Sequence, residues 1–333
     1  MGPYTLIPIR EQDRYAIMEW RNEQMDALRQ DKLLTAVDQD HYFNTTVAAL
    51  FEQEEPVQYL FSFLEHGELI GYGGLVHINR EEMSGEISFL TKTNRALDQT
   101  QFITDWVNYL SLIKQFAQAI NLHFIYTYAY DIRPNLYKAL DESGFMLMNR
   151  IKNGITIGNS PVDILIHVFA FKEVFWRFAK NYDVDLYFNW ANDELVRDNS
   201  FNQSLITYAD HVKWFAEKVN HPNYSFYLFH NNKAEAIGQV RIQTGEEENI
   251  IGISIDPQQR GKGYGSTLLR QACAHWFKRY PNRQISAYIK TTNKASQQIF
   301  INAGFEIEEM VIISECDAVK MKLANTHGNS NNR

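Results

Sequence analysis

The clearest pattern of apolar and polar positions in this 333-residue chain runs from Asn249 to Phe277. Ile250, Ile251, Ile253 and Ile255 are β-branched and predict a strand. Pro257, which has no N–H to give to a sheet, predicts its end. From about Ser266 the apolar residues fall in two adjacent four-residue ladders, Leu268, Ala272, Trp276 and Leu269, Cys273, Phe277, and predict a helix. Between strand and helix stand Gly261, Gly263 and Gly265 at alternate positions. Glycine lets the backbone take conformations closed to other residues and lets a ligand approach it. A strand, a glycine loop and a helix start form an anion site, because free N–H groups and the positive end of the helix dipole face the loop. Arg260 and Lys262 add two charges, so a phosphate or pyrophosphate is the expected guest.

Two common phosphate loops do not fit. A P-loop needs Ser or Thr after its Lys, and Lys262 is followed by Gly263. A dinucleotide fold needs Gly at position 266, which is Ser, and an acid where the strand from Gln284 ends in Lys290. Arg260, Gly263 and Gly265, in the pattern Arg-x-x-Gly-x-Gly, resemble the acetyl-CoA signature of the GNAT superfamily of N-acetyltransferases. Asn293, Ser296, Phe300, Gly304 and Phe305 resemble its second motif, with Phe300 in place of the usual Tyr. The resemblance implies that acetyl-CoA is bound by Ser254, Ile255, Arg260, Gly261, Lys262, Gly263, Tyr264, Gly265, Ser266, Asn293, Ser296 and Phe300. It implies an α/β (α+β) fold, a mixed, mostly antiparallel sheet flanked by helices.

The chain repeats itself at about half its length. Trp20-Arg21-Asn22-Glu23 is echoed by Trp190-Ala191-Asn192-Asp193, and Glu68-Leu69-Ile70-Gly71 by Glu235-Ala236-Ile237-Gly238. His41-Tyr42-Phe43 is echoed loosely by His211, Trp214 and Phe215. Glu86-Ile87-Ser88-Phe89 parallels Gly252-Ile253-Ser254-Ile255, and Ser143-Gly144-Phe145 parallels Ala303-Gly304-Phe305. The expected organisation is therefore two tandem GNAT-like domains, residues 1–171 and 172–324, with a polar, disordered tail at 325–333. The first has no glycine between Phe89 and Trp106, and carries Arg133 and Leu140 where the motif has Asn and Tyr. Its phosphate machinery is expected to be lost. Residues Met146 to Lys152 and Val162 to Phe171 read as a hairpin.

Composition adds limits rather than direction. A hydrophobic share of 45% with 22% charged residues is that of a soluble globular protein. Aromatic residues at 14% predict either aromatic cores or surfaces for stacking a ligand. A net charge of −8 argues against nucleic acid as a partner. Cys273 and Cys316 are the two cysteines, which fits a reducing compartment. No run approaches the ~18 apolar residues of a membrane span, and the N-terminus shows no cleavage pattern, so the expected location is cytoplasmic, with no membrane partner.

Direct attack of an amine on a thioester needs a held carbonyl, a proton acceptor and a proton for the departing thiolate. His211 is the candidate base, and Tyr288 the candidate acid in place of Phe300. No His, Cys or acid spacing indicates a metal. Trp190, Asn192, Arg197 and Phe201 lie in a segment similar to that of acetyltransferases acting on nucleotide-linked amino sugars, where Arg197 would meet a diphosphate and the aromatic rings a sugar or base. The expected partner is thus a small-molecule amine. Protein N-terminal acetylation, suggested by the ribosomal-protein-like Trp20-Arg21-Asn22, and acetyl-CoA binding without turnover are the alternatives.

Overall fold

The computed structural model describes residues 2–25 and 28–325. Of the expected tail only Asn325 falls within them. The chain divides into two compact units, the first running to Phe175 with Asn232–Ala234 added, the second from Trp176 to Asn231 and from Glu235 onward.

The first unit contains β1 (Tyr4–Pro8), α1 (Arg14–Glu23), α2 (Ala36–Tyr42), α3 (Ala48–Leu50), β2 (Tyr59–Glu65), β3 (Glu68–Asn79) and β4 (Ser84–Thr91). There follow α4 (Thr93–Leu97), α5 (Gln99–Ala119), β5 (Phe124–Tyr130), α6 (Pro134–Glu142), β6 (Met146–Ile157) and β7 (Ser160–Ala170). Its seven strands are ordered β1-β2-β3-β4-β5-β7-β6. The β4–β5 pair is parallel and the remaining neighbours are antiparallel. The expected hairpin is β6–β7, longer than the apolar runs indicate: its strands extend through Asn153-Gly154 and turn at Gly158-Asn159. The core is aromatic. Phe89 stacks on Tyr109 at 3.8 Å, and Phe63 and Trp106 meet the pair edge-on.

The second unit contains β8 (Val174–Phe178), α7 (Val184–Ala191), α8 (Glu194–Asn199), α9 (Tyr208–Lys218), β9 (Tyr224–Asn231), β10 (Ala236–Thr244) and β11 (Asn249–Ile255). It continues with α10 (Tyr264–Arg279), β12 (Gln284–Lys290), α11 (Lys294–Asn302), β13 (Glu306–Ile313) and β14 (Cys316–Ala324). Read from β8, its order is β8-β9-β10-β11-β12-β14-β13, the order of the first sheet repeated. The sequence echoes therefore mark a repeated fold of two α/β units. Both expected ladders of α10 are buried, Leu268, Leu269 and Ala272 completely so. Much of the aromatic content goes into the cores: Tyr187, Trp190, Phe215 and Phe226 form one cluster in this unit.

One feature of the sheets sets up the site. In the first unit the parallel pair β4–β5 runs in register for three positions, Ser84 to Glu86 against Phe124 to Tyr126. In the second, β11 and β12 meet only at Ile250 and Ser286. Beyond that pair the strands part, and the backbone from Gly252 to Ile255 that faces β12 has no strand partner there.

Candidate functional site

The parted strands lead to the glycine loop. β11 gives way to a 3-10 turn at Pro257–Gln259, capped by the Asp256 carboxylate, which accepts from the Gln258 N–H at 2.8 Å. The glycines then do different work. Gly261 (φ +75°) and Gly263 (φ +82°) are left-handed, a region that side chains disfavour, and an added Cβ at either would meet nothing within 4 Å. Gly265 is there for packing: a Cβ would come within 2.9 Å of Ile299 on α11. The helix begins at Tyr264, two residues before the expected start, because Gly263 already serves as its N-cap. Gly263 provides no side-chain cap, so the first N–H groups of a 16-residue helix face the loop.

Arg260 is fixed beside this helix start by Asp193 at 2.5 Å, and Asp193 in turn caps α8 through the Val196 N–H. Lys262 is held by Gln259 Oε1 at 2.9 Å. Asn293 caps α11, accepting from the Ser296 N–H at 3.0 Å. Phe300 is buried and meets Phe305 edge-on at 4.9 Å.

A cavity of about 1160 Å³ opens between β11, β12 and the helix starts. That exceeds the roughly 300–1,000 Å³ usual for one small ligand. Of the residues expected to hold acetyl-CoA or substrate or to act in catalysis, Lys262, Asn192 and Phe201 lie off its wall and the others line it.

The residues singled out for catalysis and substrate have distinct surroundings. His211 is 2% exposed and its Nε2 meets the Val184 carbonyl at 3.1 Å. In the first unit Gln39 makes the corresponding bond, donating to the Arg14 carbonyl at 2.8 Å. That repetition ties the bond to the fold, a clamp from the first helix of each unit to α2 in the first and α9 in the second. Burial also lowers the imidazole below its ordinary range. Tyr288 donates to Glu248 at 2.6 Å, and burial with that hydrogen bond pushes the phenol up to about 12.

Trp190 lies in the core cluster with its Nε1 donating to Asp256 at 2.8 Å. Asn192 holds both backbone groups of Ile206, as Asn22 holds those of Leu34 in the first unit. Arg197 is turned onto its own loop and donates to the carbonyls of Asn202 and Ser204 and to Ser200 Oγ. Those bonds engage both terminal nitrogens of the guanidinium expected to meet a diphosphate.

The sequence reading passed over Tyr187, Gln239, Arg241 and Lys290, which also line the cavity. Gln239 and Arg241 alternate with buried Val240 and Ile242 on β10. Alternation of that kind ordinarily marks a solvent-facing side, and only the cavity shows otherwise.

In the first unit the segment corresponding to the loop is α4, and Asp98 caps α5 by accepting from the Gln101 N–H at 2.8 Å. A carboxylate thus occupies the helix start that stands open in the second unit. Arg133, at the N-cap of α6 where Asn293 stands in the repeat, lays its guanidinium over Phe102 and Trp106 at 5.8 Å.

Fold and site together define a protein built in duplicate, with a cavity at the uncapped helix start of its second unit. A family model described as "Acetyltransferase (GNAT) domain" matches residues 6–166, and another of the same description matches residues 174–306. The chain belongs to the GNAT acetyltransferase family, with two such domains in tandem, and by family it is an acyltransferase. Among curated proteins it is similar to the uncharacterized N-acetyltransferase YfmK of Bacillus subtilis (strain 168), 27% identical over 125 residues, 36% of this chain and 77% of that one. Among solved structures it is similar to spermidine N-acetyltransferase from Vibrio cholerae in complex with CoA and spermine, at 15% identity over 46% of this chain and 96% of that one, TM-score 0.43. It is likewise similar to aminoglycoside acetyltransferase AAC(6')-Ib in complex with coenzyme A and kanamycin, at 22% identity over 45% and 94%, TM-score 0.39. No helix among the described residues is long and apolar enough to cross a membrane.

Proposed function

We propose that the second unit transfers the acetyl group of acetyl-CoA to the primary amine of a small molecule bound in the same cavity. The observation that carries this reading is the continuity of that cavity. It joins the open start of α10 and its loop to the polar wall of β10, with the parted strands β11 and β12 between. The pyrophosphate would sit on the loop amides from Gly261 to Gly265, with Arg260 and Lys262 near it. The pantetheine arm would take the unpaired edge of β11 near Ser254 and Ile255 and pass Asn293, Ser296 and Phe300.

In the proposed reaction the neutral amine attacks the thioester carbon. A backbone N–H of β11 polarises the carbonyl oxygen, and the C–S bond breaks as the amide forms. The amine's proton leaves to water. Tyr288 gives its proton to the departing thiolate and recovers one from water. Its raised range keeps it protonated at neutral pH, and to reach the sulfur it would turn from Glu248, which accepts its hydrogen bond. Glu248 remains a carboxylate: burial works against this, but hydrogen bonds from Tyr288, Ser286 and Lys320 prevail.

A nucleotide-linked amino sugar stays within this reading as the acceptor, since the cavity has room for more than one small ligand. A cytoplasmic location completes the proposal and rests on two cysteines that are both free.

Thiol release from acetyl-CoA, measured against a panel of amines and peptides, tests it. Release with small amines supports the proposal. Release with peptides alone moves the acceptor to protein N-termini, and binding without release makes the unit an acetyl-CoA sensor.

A further inference from the structure

The wall of the cavity formed by α7, α8 and β10 holds polar groups that acetyl transfer itself does not use. Tyr187 Oη, Gln239 Oε1 and Arg197 Nε are buried without a hydrogen-bond partner, and all three residues line the cavity. Tyr187 is only 5% exposed. Arg241 lies with them, its guanidinium 5.3 Å over the Trp214 ring. Tyr187 and Arg241 are close enough to feel each other's charge.

The balance of charge on this wall is positive. Among the described residues Arg241 has no carboxylate within ion-pair distance. Lys290, 9% exposed, has none either, and its Nζ donates to the Asp198 carbonyl at 2.8 Å. Asp210 is the carboxylate on the wall, and it is tied to the Thr207 hydroxyl at 2.7 Å. Cations and buried polar atoms left without partners are costly in a fold. They persist where a ligand supplies what is missing.

The repeat provides an internal comparison. Gln239 and Arg241 pair in register with Ser254 and Gly252. The Ile237 carbonyl accepts from the Asp256 N–H as that of Ile70 does from Lys92, so the corresponding pairs of the first unit are Tyr72 with Leu90 and Gly74 with Ser88. Where the second unit has Gln239 and Arg241, the first has a tyrosine and a glycine. Tyr72 already accepts from Arg21 at 2.7 Å, and a Cβ at Gly74 would meet the Tyr59 carbonyl oxygen at 1.8 Å, so the first unit has neither the guanidinium nor room for one. Gly252 leaves open space, with nothing within 4 Å of an added Cβ. The unpaired guanidinium and the room beside it occur together in the unit that keeps the glycine loop.

We propose that the acceptor amine carries an anionic oxygen group, a carboxylate or a phosphate, which Arg241 receives with Tyr187 beside it while Gln239 Oε1 accepts from a donor on the same molecule. This rests on the acetyl-transfer reading. It excludes a bare polyamine as the preferred acceptor, because further positive charge would face Arg241 and Lys290 with nothing to balance them.

Matched acceptors test it. Lysine is 1,5-diaminopentane with a carboxylate added, and glucosamine 6-phosphate is glucosamine with a phosphate added. In thiol-release assays the anionic member of at least one pair is expected to have the higher kcat/KM. Which pair shows the preference separates carboxylate from phosphate. Arg241→Gln should raise KM for that member by about tenfold or more, leave its neutral or cationic counterpart and the Kd for acetyl-CoA unchanged, and be partly rescued by Arg241→Lys. Equal use of both members of each pair, or an equal effect of Arg241→Gln on both, overturns the proposal. If no amine releases thiol, acetyl transfer to these acceptors fails on its own. The anion site is then judged by calorimetry on the CoA-saturated protein. Selective binding of an anionic member that Arg241→Gln abolishes upholds it, and its absence overturns it.

Discussion

Asn192 holds Ile206 by both backbone groups, its Nδ2 donating to the Ile206 carbonyl and its Oδ1 accepting the Ile206 N–H, each at 2.9 Å. In the first unit Asn22 holds Leu34 in the same way, at 2.9 and 2.8 Å. The Trp-x-Asn echo in the sequence is thus a fold device: an amide that pins the end of the first helix to the chain entering α2 in the first unit and α9 in the second. Asn192→Ala should cost about 1–3 kcal/mol, since it leaves a backbone donor and acceptor without partners. Urea unfolding followed by tryptophan fluorescence checks this. An unchanged midpoint would mean that water replaces the amide at no cost.

His211 belongs to the same device. Its counterpart Gln39 makes the corresponding bond with an amide. His211→Gln should therefore keep kcat within about threefold, whereas loss of a general base typically costs about 10²–10⁴. Steady-state kinetics of the Gln variant decides between the clamp and the base. A hundredfold fall in kcat with unchanged stability would restore His211 to the chemistry.

The glycines predict different failures. Gly263→Val forces a β-branched residue to φ +82° in open space, and should abolish acetyl-CoA binding with a loss of stability of about 1–2 kcal/mol. Gly265→Val pushes into Ile299 and should destabilise the packing of α10 on α11 as well. Thermal unfolding beside calorimetry separates the two: the Gly263 variant loses mainly the ligand, the Gly265 variant both.

These cases show what was legible in the sequence. Strand, loop and helix around Gly261–Gly265 could be read because proline, glycine and a four-residue apolar ladder each act locally. The repeat could be read because the Trp-x-Asn, Glu-x-Ile-Gly and Gly-Phe echoes fall at corresponding turns and helix ends, whereas Glu86–Phe89 lies two positions from its expected counterpart, since the structure sets Glu86 against Ile250. Arg197 could not be read correctly as to its bonds, since nothing local shows that the loop to Ser204 folds back onto it. Arg241 was hidden for a different reason: a polar residue alternating with Val240 and Ile242 looks like the wet face of a strand, and only the packing of α9 over that face, with Trp214 under the guanidinium, turns it into a cavity wall.

Tyr288 gives a pH test. Burial and the Glu248 hydrogen bond push its phenol up to about 12, so it stays protonated until pH approaches that value. As proton donor it should therefore introduce no basic limb below about pH 10. Tyr288→Phe should lower kcat by about tenfold to a hundredfold for an unchanged acetyl-CoA Kd. A kcat unaffected by the substitution would mean that the thiolate departs without it.

The central claim is that one unit of the two uses acetyl-CoA. In the second, Gly263 leaves the start of α10 open. In the first, Asp98 fills the start of α5 with its own carboxylate, which would repel a pyrophosphate. Calorimetric titration of the full chain with acetyl-CoA tests this most directly. The account predicts one site per chain, lost in Gly263→Val and retained in Asp98→Asn. Two equivalent sites, or one site that survives Gly263→Val, would contradict it.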